Sequence, residues 1–213
     1  GDIITDKNIP EMQKIKKISI KRNINLSLIY NELNGIQLIS HRFEKEKQIL
    51  EIKFKKAKYK VQLNLIGKIQ VNNILMAIIA ANKSGIEFKK ILKILPSITP
   101  VEGRLEKIGK IRNNSKVILD YAHTPAALES ALSNLKEQFP FNKINLIFGC
   151  GGDRDLKKRP LMGKIAEKYS SKIYLTDDNP RNEKPFKIRN EIKKGIKNKK
   201  IHEIPDRKKG IQE

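Results

Sequence analysis

Three polar clusters in the second half of this 213-residue chain have the make-up of ligand-binding loops. They are Asp120-Tyr121-Ala122-His123-Thr124-Pro125, Gly149-Cys150-Gly151-Gly152-Asp153-Arg154-Asp155 and Asp177-Asp178-Asn179-Pro180-Arg181. Asp178 and Arg181 set a carboxylate and a guanidinium a few residues apart, with Asn179 and the stiff Pro180 between them. Such a pair suits a zwitterion, because the carboxylate can hold an ammonium and the planar arginine fork can grip a carboxylate with two hydrogen bonds. Arg154 could supply a second fork, although an Asp–Arg pair can also do no more than fix a turn. The glycine run removes side chains where a backbone must approach a ligand or where φ must be positive, and a tight strand-to-helix turn has the same need. It is not a Walker loop. G-x-x-x-x-G-K-[ST] occurs nowhere, and Gly163-Lys164 lacks both the upstream glycine and the hydroxyl residue.

The remaining reactive side chains are less directive. His123 could serve as a general base or a phosphate contact, or as a hydrogen-bonding loop residue beside a helix start. Asp153 and Asp155 could bind Mg²⁺, or could pair with Arg154 and Lys157. Cys150 has no histidine or second cysteine near it in sequence, which favours a small buried residue over a nucleophile. His41 and His202 stand in no such pattern.

Loops of this kind work only if strands and helices hold them. Beyond Pro100 the apolar pattern alternates: a strand at Lys116–Leu119 after the turn residues Asn113, Asn114 and Ser115, then a helix capped by Thr124 with Pro125 first, running to about Gln138. A buried strand Ile144–Phe148 follows, then a helix from Pro160 to about Tyr169, a strand Ile173–Leu175, a helix from Pro185 and a strand Ile201–Ile204. Strands alternating with helices of this length predict βαβ units and a parallel sheet, hence an α/β fold. In such a sheet ligands sit at the carboxyl ends of the strands, so all three polar clusters are expected on one edge.

The first half has a different texture. Lys17 to Leu65 reads as short and strand-like; Tyr59, Val61, Leu63 and Leu65 alternate with polar residues, and Ile49–Phe54 is a possible neighbour. Val71–Ser84 predicts an apolar helix through Ile74, Leu75, Ala77, Ile78 and Ala81 that stops at Gly85. Phe88–Leu95 predicts a second helix, closed by Pro96. The change of rhythm puts a domain boundary near Val101, giving domains 1–100 and 101–213.

Composition sets the outer bounds. Lys and Arg number 45 against 23 Asp and Glu, a formal charge of +22. That balance could be the footprint of a nucleic-acid binder. Here the lysines are scattered over every segment and accompany much Ile and Asn, a compositional bias, and aromatic residues are only 6%, too sparse for a base-stacking platform. Nucleic acid is therefore not the expected partner. The run Lys193, Lys194, Lys197, Lys199, Lys200 reads as a solvated helix end. No stretch approaches the ~18 apolar residues of a membrane helix, and the N-terminus lacks the basic start and apolar core of a signal peptide. A lone Cys150 allows no internal disulfide or multi-thiolate zinc site and suits a reducing compartment, so a cytoplasmic location without membrane insertion is expected.

Taken together, the motifs resemble one family. Val101-Glu102-Gly103-Arg104-Leu105-Glu106, Asp120 to Pro125, Phe148 to Asp155, Lys158-Arg159-Pro160-Leu161-Met162-Gly163 and Thr176 to Arg181 resemble, in order and spacing, the MurE family of Mur ligases. The resemblance is specific from about Leu65 to Asp206 and general in character before that. It implies a Rossmann-like C-terminal domain with a parallel sheet, preceded by the strand/helix second part of a Mur central ATPase domain. It implies ATP-dependent addition of meso-diaminopimelate to UDP-MurNAc-L-Ala-D-Glu in peptidoglycan synthesis, through an acyl phosphate, with ATP and Mg²⁺ as cofactors.

By that resemblance Arg154, Asp178, Asn179, Pro180 and Arg181 bind diaminopimelate, with Arg181 favouring it over lysine because a distal carboxylate needs a cation. Asn73, Arg104 and Asp120 match positions around ATP, and Gln70 stands where several members have asparagine. The phosphate loop, the carbamylated lysine and the UDP-binding domain are expected upstream of Gly1, and the later glycine and glutamate contacts to diaminopimelate beyond Glu213. A chain without the phosphate loop is then not expected to turn over ATP alone. The alternatives are an inactive Mur ligase remnant and a basic α/β nucleic-acid-binding module.

Overall fold

The computed structural model describes residues 1–30, 35–111, 114–198 and 201–213, so Asn113, Lys199 and Lys200 lie outside the described residues. The chain forms two compact units, Gly1–Leu119 and Asp120–Glu213.

The first unit runs β1 (Asp2–Asp6), α1 (Met12–Lys21), β2 (Asn25–Ile29), β3 (Ile36–Glu44), β4 (Lys47–Phe54), β5 (Ala57–Leu63), α2 (Ile69–Lys83), α3 (Phe88–Ile94), β6 (Glu106–Lys110) and β7 (Lys116–Leu119). β1 and β2 pair in parallel across α1. The strand-like reading from Lys17 is therefore corrected at its start. Ile18-Ser19-Ile20 mimics a period of two, but Met12 and Ser19 are buried and Ile15 half-buried, a helical spacing that leaves Ile20 in solvent. β3, β4 and β5 form an antiparallel meander, with Leu50 opposite Val61 and Gln48 opposite Leu63. The alternation read at Tyr59–Leu65 buries Val61, Leu63 and Leu65 against α2 and α3. α2 buries Val71, Ile74, Leu75, Ile78 and Ile79, leaves Ala77 exposed, and ends at Gly85 with φ +93°.

The second unit runs α4 (Pro125–Gln138), β8 (Asn145–Phe148), α5 (Lys158–Tyr169), β9 (Lys172–Leu175), α6 (Pro185–Lys193), β10 (Ile201–Glu203) and α7 (Arg207–Gln212). The three strands form a parallel sheet in the order β10-β9-β8. Leu128, Leu132, Phe148, Met162, Ala166, Ile173, Leu175, Ile188 and Ile192 pack its core. Thr124 caps α4 by accepting the Ala127 N–H at 3.2 Å, with Pro125 in the first helical position. α5 starts at Lys158, so Pro160 sits inside its first turn, where no backbone donor is needed.

One expected strand belongs elsewhere. β7 pairs antiparallel with β6, from Glu106 opposite Leu119 to Lys110 opposite Lys116, and among the described residues it has no ladder to β8. β6 satisfies its backbone groups instead, and Leu119 remains 45% exposed. The compact units therefore divide at Leu119/Asp120, while the change of sequence rhythm falls near Val101, one hairpin earlier.

Candidate functional site at the carboxyl ends of β8 and β9

β8 and β9 release their chains side by side into residues 149–155 and 176–183, and Thr176 N–H donates to the Phe148 carbonyl at 3.0 Å. The glycines of the first loop are required by the second. A Cβ on Gly149 would strike the Thr176 carbonyl, and one on Gly152 the Pro180 carbonyl. A Cβ on Gly151 would come within 2.9 Å of Arg181 Nη1. Among the described glycines positive φ occurs only at Gly67, Gly85 and Gly103, so close backbone approach, not handedness, explains this run. The left-handed residues here are Asp153 and Arg181, each at φ +50°. An L-residue gives up roughly 1 kcal/mol in that region, so surrounding contacts must hold both.

Those contacts interlock the loops. Gly152 N–H donates to Asn179 O at 2.9 Å, and Arg181 Nη1 donates to Gly152 O at 2.7 Å. Asp153 Oδ2 accepts from Asn182 N at 3.2 Å and Nδ2 at 2.8 Å, while Asp153 N–H donates to Glu183 Oε1 at 2.6 Å. Asn179 Oδ1 accepts the Arg181 N–H at 3.2 Å, an Asx-type turn that sets the arginine's backbone.

Behind the loops lies Arg159, carried by α5 and fully buried. It donates Nη2 to Glu183 Oε1 at 2.7 Å and Nη1 to Glu183 Oε2 at 2.8 Å, a bidentate fork. Nη1 also reaches Glu191 Oε2 at 2.7 Å, and Nη2 the Gly151 carbonyl at 3.2 Å. Arg159 holds the Glu183 carboxyl well below the usual carboxylate range, at about 2, with help from the Asp153 N–H. Arg189, nearly as buried, bridges Asp177 and Glu203.

The expected site residues divide into groups. Asp178, Asn179, Pro180 and Arg181 share one loop, with Pro180 half-buried and the others exposed. Arg154 is exposed on the neighbouring loop, with no hydrogen bond or ion pair among the described residues. Asp153 is a loop-locking acceptor, and Asp155 accepts the Lys157 N–H at 2.9 Å. Among the described residues no group of three or more His, Cys, Asp or Glu is placed to hold a metal ion. Cys150 is buried with its Sγ 3.7 Å from Met162 Sδ, and burial pushes its thiol up to about 11, so it stays protonated at neutral pH.

His123 is exposed, its Nδ1 3.2 Å from Tyr121 O, and its carbonyl accepts Lys158 Nζ at 2.9 Å. Asp120 Oδ1 accepts the Ala122 N–H at 2.9 Å. In the first unit Asn73 Nδ2 donates to Gln70 Oε1 at 3.3 Å, and Gln70 Nε2 donates to the Arg104 carbonyl at 3.1 Å. The glutamine that departs from the family pattern thus joins two of the residues matched to ATP. A concavity of about 410 Å³ lies on β3–β5 of that unit, lined in part by Arg42, Glu51, Lys58 and Lys60, and no expected site residue is in its lining.

Sequence reasoning assigned no role to Arg159, Glu183 or Arg207. Arg207 opens α7 just beyond β10, and its Nε donates to Thr176 Oγ1 at 3.0 Å. The strand-end rule applies equally to the loop after β10. It flanks the loop after β9: Ile204 N–H donates to Leu175 O and Asp177 N–H to Pro205 O, both at 2.9 Å.

Residues 103–213 match the family described as Mur ligase, glutamate ligase domain. The chain belongs to the Mur ligase family. Among curated Mur ligases, the UDP-N-acetylmuramoyl-L-alanyl-D-glutamate–2,6-diaminopimelate ligase of Rickettsia felis is 36% identical over 214 residues, covering 100% of this chain and 39% of that protein. Its counterpart in Wigglesworthia glossinidia brevipalpis is 45% identical over 153 residues, 71% of this chain and 30% of that protein. The likeness thus extends through the first sixty residues, where the sequence motifs alone carried only a general resemblance. A solved ligase of the same name superposes with a TM-score of 0.67 at 28% identity, over 99% of this chain and 44% of that one. A folylpolyglutamate synthase from Mycobacterium tuberculosis shares the fold, with a TM-score of 0.77 at 15% identity over 99% of this chain and 47% of that one. The chain spans about two fifths of the curated relatives that it matches end to end. Among the described residues no helix is long and apolar enough to cross a membrane.

Proposed function

We propose that this chain is the amino-acid-receiving part of an ATP-dependent acid–amino-acid ligase that adds meso-diaminopimelate to UDP-MurNAc-L-Ala-D-Glu in peptidoglycan synthesis. On this reading residues 1–100 are the end of the central ATPase domain and 101–213 the amino-acid-binding domain, in a cytoplasmic enzyme. The observation that carries the proposal is the interlock of residues 149–155 with 177–183. It holds Arg181 and Asp178 in fixed backbone settings on the strand-end edge, beside Arg154. The names of the relatives support the choice of substrate.

In this mechanism Asp178 receives an ammonium of diaminopimelate, and Arg181 and Arg154 receive carboxylates. Asn179 keeps Arg181 in its left-handed turn. The residues position the free amine for attack on the activated carboxylate, and positioning is a large share of what a ligase of this type must supply. Bound ATP supplies the phosphoryl group that makes the acceptor carboxylate reactive, and Asn73, Arg104 and Asp120 are its contacts from this chain. The amide and guanidinium of that set suit a polyanionic nucleotide. The phosphate cradle and the Mg²⁺ ligands are contributed by other parts of the ligase, and the 213-residue chain alone does not turn over ATP.

The test is amino-acid choice in the ligase carrying this chain. Diaminopimelate is expected to be used and L-lysine to be used poorly, and Arg181→Ala is expected to lower kcat/KM for diaminopimelate about 10- to 100-fold, the range for a lost charge-assisted contact. Equal use of lysine by the unaltered enzyme, or unchanged diaminopimelate kinetics in Arg181→Ala, sinks the proposal.

A further inference from the structure

Arg207 stands on the same edge with most of its fork uncommitted. Its Nε is anchored by Thr176 Oγ1 at 3.0 Å, on a residue that is 1% exposed, so the plane of the guanidinium is set from below. Its Nη2 lies 3.3 Å from the point where a Cβ on Gly149 would sit, and 3.4 Å from Asp178 Oδ2. That last contact is long, between side chains that are each 44% exposed, and contributes little stability. Nη1 has no partner among the described residues. The other structural arginines of this unit behave differently: Arg159 spends its fork on Glu183, Glu191 and Gly151 O, and Arg189 reaches two carboxylates.

Arg207 is therefore oriented by a buried hydroxyl and kept open toward solvent beside a carboxylate. A fixed guanidinium next to a carboxylate is complementary to an amino-acid head, in which –COO⁻ and –NH₃⁺ sit on one carbon. Arg181, two glycines along, has already committed Nη1 to Gly152 O.

Resting on the amino-acid reading above, we propose that Arg207 is a further substrate-binding residue. It joins Arg181 on the distal carboxylate of the incoming diamino diacid while Asp178 takes the ammonium on the same carbon. Gly149 is glycine in part to let this guanidinium lie over the backbone.

The test is an NMR titration of the ¹⁵N-labelled 213-residue chain with meso-diaminopimelate and, separately, with L-lysine, which keeps the distal ammonium and lacks the distal carboxylate. Arg207→Ala is expected to weaken diaminopimelate about 10- to 100-fold and leave lysine within about twofold. Arg207→Lys, which keeps the charge and loses the fork, and Thr176→Val, which loses the anchor, are expected to fall between wild type and Arg207→Ala. Wild-type spectra outside the loops confirm the fold of each variant. Unchanged diaminopimelate binding in Arg207→Ala overturns the assignment while leaving the amino-acid reading intact. Equal weakening of both ligands marks a general charge effect and also overturns it. If the unaltered chain binds no diaminopimelate, the reading of the whole edge fails, and this assignment with it.

Discussion

The two units are built on different interiors. Among the described residues the first is closed by a cluster of fifteen buried apolar residues and by a buried amide, Gln48, which donates to Leu65 O at 2.8 Å and Gly67 O at 3.0 Å and meets His41 Nε2 at 2.8 Å. The second has a smaller apolar cluster and a fully buried guanidinium directly beneath its loops. Apolar burial is non-directional: it holds elements together without specifying how one loop sits on another. A buried fork is directional: Arg159 pairs both Nη1 and Nη2 while its Nε lies buried without a hydrogen-bond partner, and losing those pairings is costly. The unit that presents the candidate site is the one that placed a charge where its geometry fixes the loops.

The comparison is most exposed at Arg159. Replacing it with leucine leaves Glu183 and Glu191 without their cation and frees the loops, and is expected to destabilise the second unit by about 3 kcal/mol. Urea unfolding followed by amide exchange checks this, with residues 149–155 and 177–183 losing protection first. If those loops keep their protection, the guanidinium does not set their geometry.

Gln48→Leu is the matched change in the first unit. It strands two carbonyls and is expected to cost about 1–2 kcal/mol, without altering the second unit's loops. A cost equal to that of Arg159→Leu would erase the contrast between the interiors.

The smallest effect is one of pH. Glu183 titrates lower in the folded state, at about 2, than its ordinary value of 4.5. The group thus adds stability that is present above about pH 4.5 and lost as pH falls toward about 2. Arg159→Leu is expected to flatten this dependence in the second unit, as read by NMR of the Glu183 carboxyl. A carboxyl titrating near 4.5 in the unaltered protein would remove the ion pair from the account.

Much of the fold was legible because its signals are local. The alternation at Val61 and Leu63, the glycine stop at Gly85, the Thr124 cap with Pro125, and the apolar strands at Ile147 and Ile173 each depend on neighbours in sequence. The failures are pairing problems. Lys116–Leu119 is a strand by composition, yet its partner is β6 and not the parallel sheet, and nothing within four residues encodes that choice. Ile18-Ser19-Ile20 imitates a strand inside a helix. At the site, the residues with recognisable chemistry were found, while those that arrange them were not. Arg159 lies inside a quoted motif without any cue to its burial, and Arg207 follows an unremarkable strand.

The sequence by itself determined most of the element types, the polar loops at the strand ends and the placing of Asp178 and Arg181 on one short turn. Those follow from periodicity, capping and side-chain chemistry, which act over a few residues. Only the tertiary structure decided that the glycines yield to a neighbouring backbone, that Arg159 locks two loops separated by a helix, and that Arg207 reaches the edge from a third. Each of these needs groups distant in sequence to occupy the same few ångströms, and the order of strands in the sheet, not the local code, brings them there.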